Sequence, residues 1–310
     1  MTETKQLSEQ KLVNDFLEYF RTNKKLFARS VIANYESQPE NFNQLGYVML
    51  NWAKNYLGTG YLKPLADGYV SFVIDVNKSQ TNYEKEKHYK NKTYKEVFES
   101  VYNNEAHMQF YHWGVYVTTF AWQHHLNIYT FFKNYFIPLL NKTGNALDLG
   151  SGSGIWSMLL SHNLSGWKIT GVDISQPSVS LSTEMARLNN FSDLKFQLGD
   201  ALTFKSTQLF DACVSCFLLE HLETPHLLIR NISENLPVGG YAFITGALTA
   251  AEVDHIFEFK NESEIISLCE KFGFRVIATL SASPSSHPRN NYFLPRSMAL
   301  VLQKKSNEIW

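Results

Sequence analysis

The 310-residue chain is poor in cysteine, carries almost no net charge and contains no long uninterrupted apolar run. Three cysteines cannot staple a chain of this length, which excludes a disulfide scaffold. Twenty-eight basic residues against 29 acidic ones leave a formal charge of −1, too little to gather nucleic acid or an anionic membrane. No segment has the length that a membrane span requires, and the opening MTETKQLSEQKLVNDF lacks the apolar core of a secretory signal. The expectation is a cytoplasmic protein that engages neither nucleic acid nor membrane. What the chain does have is a hydrophobic content of 44%, enough for one large domain or two unequal ones.

From Asn145 onward, strand and helix signals alternate, the pattern of a parallel sheet with helices on both faces. Strand signals fall on NALDLG, WKITGVDIS, LKFQLGD, FDACVSCFL and GGYAFITGAL, with helices near Ile155 to Ser165 and over PSVSLSTEMARLN and PHLLIRNISENL. A helix over ESEIISLCEKFG follows, then FRVIATLSA and SMALVLQKK, which read as a hairpin antiparallel at one sheet edge. Cys213 and Cys216 form a C-x-x-C within a strand signal, where residues three apart face opposite ways; they read as buried thiols, and no metal site is expected.

The first 140 residues show helical spacing instead, at Leu12, Val13, Phe16, Leu17 and Phe20 and at Leu45, Val48, Met49 and Trp52. Between them and the sheet lies an aromatic run from Tyr102 to Phe136, preceded by NYEKEKHYKNKTYKEVFES, which reads as a solvated helix face or a lid. There is no internal repeat.

The loop after the first strand, LDLGSGSGIW, is also defined by what it lacks. No lysine follows its glycines at P-loop spacing. Gly152, not serine, stands at the centre of GSGSG, so it is no hydrolase elbow. Ser157 occupies a position where a dinucleotide fingerprint needs glycine or alanine. What remains is a G-x-G-x-G turn with Asp148 just ahead of it. Asp173 closes ITGVD and Asp200 closes FQLGD. The carboxyl ends of parallel strands converge on one crevice, so loop, Asp173 and Asp200 line a single site for a nucleoside-bearing ligand.

In LDLGSGSG, GVDIS, GDA and FDACVSCFLLEHLETP with LLIRNISENLPVGGYAFIT, the stretch from Asn127 to Lys305 resembles the class I S-adenosylmethionine-dependent methyltransferases, particularly the ubiquinone and menaquinone branch. The resemblance implies a Rossmann-like, seven-stranded α/β sheet with helices on both faces. It implies a cofactor domain over residues 126–310 and a mainly helical N-terminal cap and substrate region over 1–125. By the same resemblance, Asp148, Gly150, Gly152 and Gly154, with Ser151 among them, embrace the methionine part of the cofactor. Asp173 takes the ribose hydroxyls, Ile174 packs on adenine, Asp200 with Ala201 meets the adenine amino edge, and Cys216 and Phe217 face the sulfonium end. Val238 departs from the family's glycine or proline before the fifth strand, which affects only a turn.

Methyl transfer from a sulfonium is an in-line displacement, so the protein mostly positions, and a base is needed only where the acceptor must lose a proton. Family analogy puts His221 and Glu220 at the cofactor-facing mouth: His221 as base or substrate contact, or else a polar loop contact, and Glu220 as a positioning group. His107, His112, His124 and His125 compete for the base role or are ordinary core and surface histidines. Tyr102, Tyr111, Trp113, Tyr116 and Trp122 either cap a flat or cationic acceptor or pack a helical core. The leading expectation is methyl transfer to an oxygen or nitrogen of a small molecule, with S-adenosylhomocysteine as product. Its rivals are a cofactor-binding partner subunit that transfers nothing and a nicotinamide-dependent dehydrogenase. The aromatic region serves either as acceptor pocket or as a homodimer contact.

Overall fold

The computed structural model describes residues 3–98, 105–284 and 293–305. Among the described residues, seven α-helices precede the sheet: α1 (Glu3–Asn23), α2 (Lys25–Ser37), α3 (Pro39–Leu57), α4 (Leu62–Glu86), the single turn α5 (Tyr94–Val97), α6 (Glu105–Ala121) and α7 (Gln123–Phe131). The apolar stripes seen in the sequence face inward, since Val13, Phe16, Phe20, Leu45 and Met49 are all buried. Rings clasp across the helices, with Phe120 of α6 lying 5.3 Å from Phe16 and 5.5 Å from Phe42.

Helices α4 and α6 cross at glycine. A Cβ on Gly68 would stand 2.9 Å from Gly114 N, and one on Gly114 would stand 2.4 Å from Phe72 Cβ. This close crossing turns one face of α6 into core, and it corrects the reading of two rings as pocket residues. Trp113 packs on Tyr56 and Tyr116 at 5.8 and 5.4 Å, and the fully buried Tyr116 donates its hydroxyl to Met49 O at 2.7 Å. At about 3.6 residues per turn, Trp113, Tyr116 and Phe120 share that inner face while Tyr111, His112, Val115 and Thr119 look the other way.

The strands form one sheet in the order β3-β2-β1-β4-β5-β7-β6. β1 (Gly144–Leu149), β2 (Trp167–Asp173), β3 (Leu194–Leu198), β4 (Ala212–Ser215) and β5 (Tyr241–Leu248) run parallel. β6 (Phe274–Ala282) and β7 (Arg296–Lys304) make the expected antiparallel hairpin, with β7 inserted between β5 and β6. Helices α8 (Ile155–Asn163), α9 (Gln176–Leu188), α10 (Pro225–Glu234) and α11 (Glu262–Lys271) complete the chain.

Both sheet faces are buried, and successive strand residues alternate between them. Ala146, Val214, Phe243 and Val301 join a core shared with α8 and the N-terminal helices, whereas Leu147, Cys213, Ile244 and Leu300 pack with α10 and α11. The chain runs outward from β1 to β3 and then returns to β4 on the other side of β1. That reversal opens a crevice at the carboxyl ends of the central strands.

Candidate active site

The crevice leads into a cavity of about 1690 Å³ that reaches from the strand tips to α2, α4, α6 and α7. Its floor is the loop between β1 and α8. Gly150, Gly152 and Gly154 have φ of +75°, +52° and +79°, where any side chain would be strained. This curl lets Gly150 and Ser151 donate their N–H groups to Val172 O at 2.8 and 3.1 Å, and Gly152 donate to Asp173 Oδ2 at 2.8 Å. The loop is thereby strapped to the tip of β2. Gly150, Ser151 and Gly152 border the cavity, and Gly154 caps α8 behind them. Ser151 Oγ is buried there without a hydrogen-bond partner.

Asp148 lies one layer deeper, beneath the loop. Its Oδ2 accepts from Ser157 Oγ on α8 at 2.6 Å, and burial pushes its carboxyl up to about 7. Asp173 is anchored at both oxygens, since Oδ1 accepts the Ser175 N–H at 2.9 Å. A carboxylate has about four acceptor positions, so two remain for a vicinal diol. Ile174 beside it is 56% exposed and borders the cavity. Asp200 Oδ1 accepts the Leu202 N–H at 2.8 Å, and Ala201 is also on the wall. Tyr94 and Phe98 border this end too, on a turn fixed by a capping box of Thr93 and Glu96. Burial and the Asp173 and Asp200 carboxylates push the Tyr94 phenol up.

Past β4, Cys216 and Phe217 form the next stretch of wall. The strand ends at Ser215, so Cys216 is not the strand residue the sequence suggested. Phe217 has φ +53°, a conformation costing about 1–3 kcal/mol in a residue with a side chain. It is held by donation from its N–H to Thr245 Oγ1 at 2.8 Å and by the His125 ring at 4.9 Å.

On the far wall, Tyr111 packs against Phe72 at 5.8 Å. His112 presents a buried Nε2 with no hydrogen-bond partner, and burial pushes the ring down to about 4. Trp122 stacks on His124 at 5.2 Å. Burial pushes His125 down to about 3 and holds His124 well below the usual histidine range. Tyr102 lies outside the described residues, as does the side chain of His107.

Glu220 and His221 follow in the short turn Leu219–His221, both on the cavity wall. His221 Nδ1 lies 3.3 Å from Asp254 O and 3.4 Å from Asp254 Oδ2. Glu220 is 1% exposed, its Oε2 has no hydrogen-bond partner, and burial raises its carboxyl. Sequence reasoning missed Glu252, Asp254 and His255, because the segment after β5 has no periodicity. The only signal was the density of acids and histidine in AEVDHIFEF. Distant residues fix this segment: Gln80 Oε1 accepts the Ala251 N–H at 2.9 Å, Tyr89 donates to Ala250 O at 2.7 Å, and Asn91 donates to Val253 O at 2.6 Å.

The strand order and the glycine loop at the tip of β1 define a class I methyltransferase fold, and the polar groups around the loop fit S-adenosylmethionine: a buried unpaired hydroxyl, a carboxylate with acceptor positions left for a diol and, among the described residues that line the cavity, no lysine for phosphate. Residues 140–282 match the model of a family described as a methyltransferase domain. The chain is 29% identical over 104 residues to an (S)-coclaurine N-methyltransferase of Thalictrum flavum subsp. glaucum, a match covering 33% of this chain and 29% of that protein. It is 35% identical over 78 residues to a release factor glutamine methyltransferase of Thermodesulfovibrio yellowstonii, covering 25% and 28% respectively. The chain thus spans less than a third of either relative. A solved coclaurine N-methyltransferase bound to N-methylheliamine and S-adenosylhomocysteine overlays 56% of this chain and 70% of its own, at 14% identity and a TM-score of 0.46. Among the described residues, no helix is long and apolar enough to cross a membrane.

Proposed function

We propose that the chain is an S-adenosylmethionine-dependent methyltransferase acting on an oxygen or nitrogen of a small molecule, with residues 1–125 as cap and substrate region over a cofactor domain of 126–310. The observation that carries this reading is the continuity of the cavity: the strand-tip crevice and a pocket walled by helix side chains are one space. The (S)-coclaurine N-methyltransferase relative supports a small acceptor.

When bound, S-adenosylmethionine supplies a methyl already activated on sulfur. Asp173 takes the ribose hydroxyls on its two remaining acceptor positions. Ile174 covers adenine, and Asp200 with Ala201 meets its amino edge. The Gly150–Gly154 loop, with Asp148 beneath it and the Ser151 hydroxyl, receives the methionine end. Cys216 and the strained Phe217 would border the sulfonium end.

On that wall, Tyr111 and His112 hold the acceptor. A ring titrating near 4 stays neutral at pH 7 and makes a weak proton acceptor, so His112 orients through Nε2. Burial also favours the neutral form of an acceptor amine, the form with a lone pair to give. His221 takes a proton where the acceptor is a hydroxyl, since Asp254 occupies Nδ1 and leaves Nε2 for the substrate.

The test is incubation of the full chain with labelled S-adenosylmethionine and a panel of amines and phenols. S-adenosylhomocysteine should form with at least one class, and Tyr111→Ala or His112→Ala should raise acceptor KM about tenfold, near the 1.4 kcal/mol of one lost contact. Cofactor binding without product across the panel would favour a partner subunit, and NAD binding in its place would favour a dehydrogenase.

A further inference from the structure

One group of side chains on the cavity wall is not used by the cofactor crevice. A Glu220 carboxylate oxygen and ring nitrogens of His221 and His255 lie within 4.8 Å of one another. A second set with the same spacing joins Glu252 and Asp254 to the same His255. Two imidazoles therefore sit among three carboxylates, and Glu220, His221, Glu252 and His255 all border the cavity.

The hydrogen bonds orient both rings. His255 Nδ1 faces Ala250 O at 2.7 Å, and a carbonyl only accepts, so Nδ1 carries the proton and Nε2 the lone pair. Glu252 Oε2 lies 3.8 Å from that nitrogen. His221 Nδ1 faces the Asp254 carbonyl and carboxylate, which leaves its Nε2 as the open lone pair. Glu220 adds an almost completely buried carboxylate whose Oε2 has no hydrogen-bond partner. Lone pairs gathered against one another in a buried wall repel unless a proton or a metal ion stands among them.

The backbone holds this arrangement. Ile256 and Phe257 donate their N–H groups to Glu220 O at 2.8 and 2.9 Å, which locks the segment after β5 to the turn after β4. A histidine whose Nδ1–H is fixed by a carbonyl or a carboxylate, with Nε2 directed inward, is the usual preparation of a metal ligand.

We propose that Glu220, His221 and His255 bind one divalent first-row transition ion, with Glu252 and Asp254 as supporting carboxylates. The nitrogen-rich donor set favours zinc, cobalt or iron(II) over magnesium or calcium, which prefer all-oxygen sites. Three protein ligands leave coordination positions open on the cavity side. An oxygen or nitrogen donor of a molecule in the cavity would take them. The site does not include the crevice around Asp173; while an ion is bound, the His221 lone pair is a ligand and takes no proton from an acceptor.

The test uses the full chain without an affinity tag, stripped with a chelator and titrated with Co²⁺ while visible absorption is followed; bound Zn²⁺ is counted separately by mass spectrometry. The expected result is one equivalent with ligand-field bands, unaffected by excess Mg²⁺. His255→Ala and the isosteric Glu220→Gln should each weaken binding about 100-fold. His226→Ala, an exposed histidine on α10, should leave binding unchanged. Absence of stoichiometric Co²⁺ and Zn²⁺ in the wild-type chain would overturn the proposal, as would full-affinity binding by Glu220→Gln. S-adenosylhomocysteine binding by the stripped chain, measured beside it, reports on the crevice alone, so failure of the metal site and failure of the methyltransferase reading give different results.

Discussion

The two ends of the cavity are built by different means. At the strand tips, site geometry is a backbone property: glycine φ angles, and carboxylates held by backbone N–H groups. At the helical end, the wall is made of side chains from distant parts of the chain, such as Phe72, His112, His221 and His255. The first kind of site leaves a local signature in the sequence, and the second does not. On the proposed function, the same contrast separates a part that recognises one cofactor from a part that can be re-lined for a different acceptor.

The largest effect that would sharpen this contrast lies in the loop. A Cβ on Gly154 would stand 2.8 Å from Phe196 and Ser182 at φ +79°, whereas one on Gly152 would meet nothing within 4 Å at φ +52°. Gly154→Val should destabilise the whole chain by more than about 4 kcal/mol in denaturant unfolding. Gly152→Ala should cost about 1 kcal/mol and weaken cofactor binding instead. Equal stability of the two variants would break the distinction.

The helical end should be the acid-sensitive one. Histidines held neutral by burial have folded values below the unfolded one, so the unfolded chain takes up protons first and stability falls as pH drops below about 6.5. The values of about 4 for His112 and about 3 for His125, with His124 also lowered, put the loss between about pH 6.5 and 3. His112 and His125 should each cost about 2 kcal/mol between pH 7 and 5. Asp148 acts in the opposite direction: its raised carboxyl makes the folded state hold the extra proton, so its contribution falls as pH rises from about 4 to about 7. Melting curves of the wild type, His112→Phe and Asp148→Asn would separate the two slopes.

The smallest effect distinguishes pocket from core within α6. Tyr116→Phe removes one hydrogen bond to Met49 O and should cost about 1 kcal/mol of stability with no change in acceptor KM. A rise in KM would put Tyr116 back in the pocket.

Much of the sheet could be read because its strands carry short β signals and its turns carry glycine, as at β1, β2 and β5. The crevice was legible for the same reason: Asp173 and Asp200 each close a strand signal, and Asp148 stands just ahead of the glycine loop. Trp113 and Tyr116 could not be oriented, since the stretch from Tyr111 to Trp122 is apolar nearly all round and shows no face. The glycine contact between α4 and α6 decides it, and that is a tertiary fact. His255 was invisible for another reason. Its ring is placed by Ala250 O and the segment around it by Gln80, Tyr89 and Asn91, more than 150 residues earlier in the chain.

The central claim, that the strand tips hold an adenosyl sulfonium through Asp173, is tested most directly by titration calorimetry with S-adenosylhomocysteine. The account predicts one site per wild-type chain and at least about 100-fold weaker binding by Asp173→Ala, which loses the carboxylate proposed for ribose and bonded to the Gly152 N–H. Undiminished affinity in that variant, or binding of NAD but not S-adenosylhomocysteine by the wild type, would contradict it.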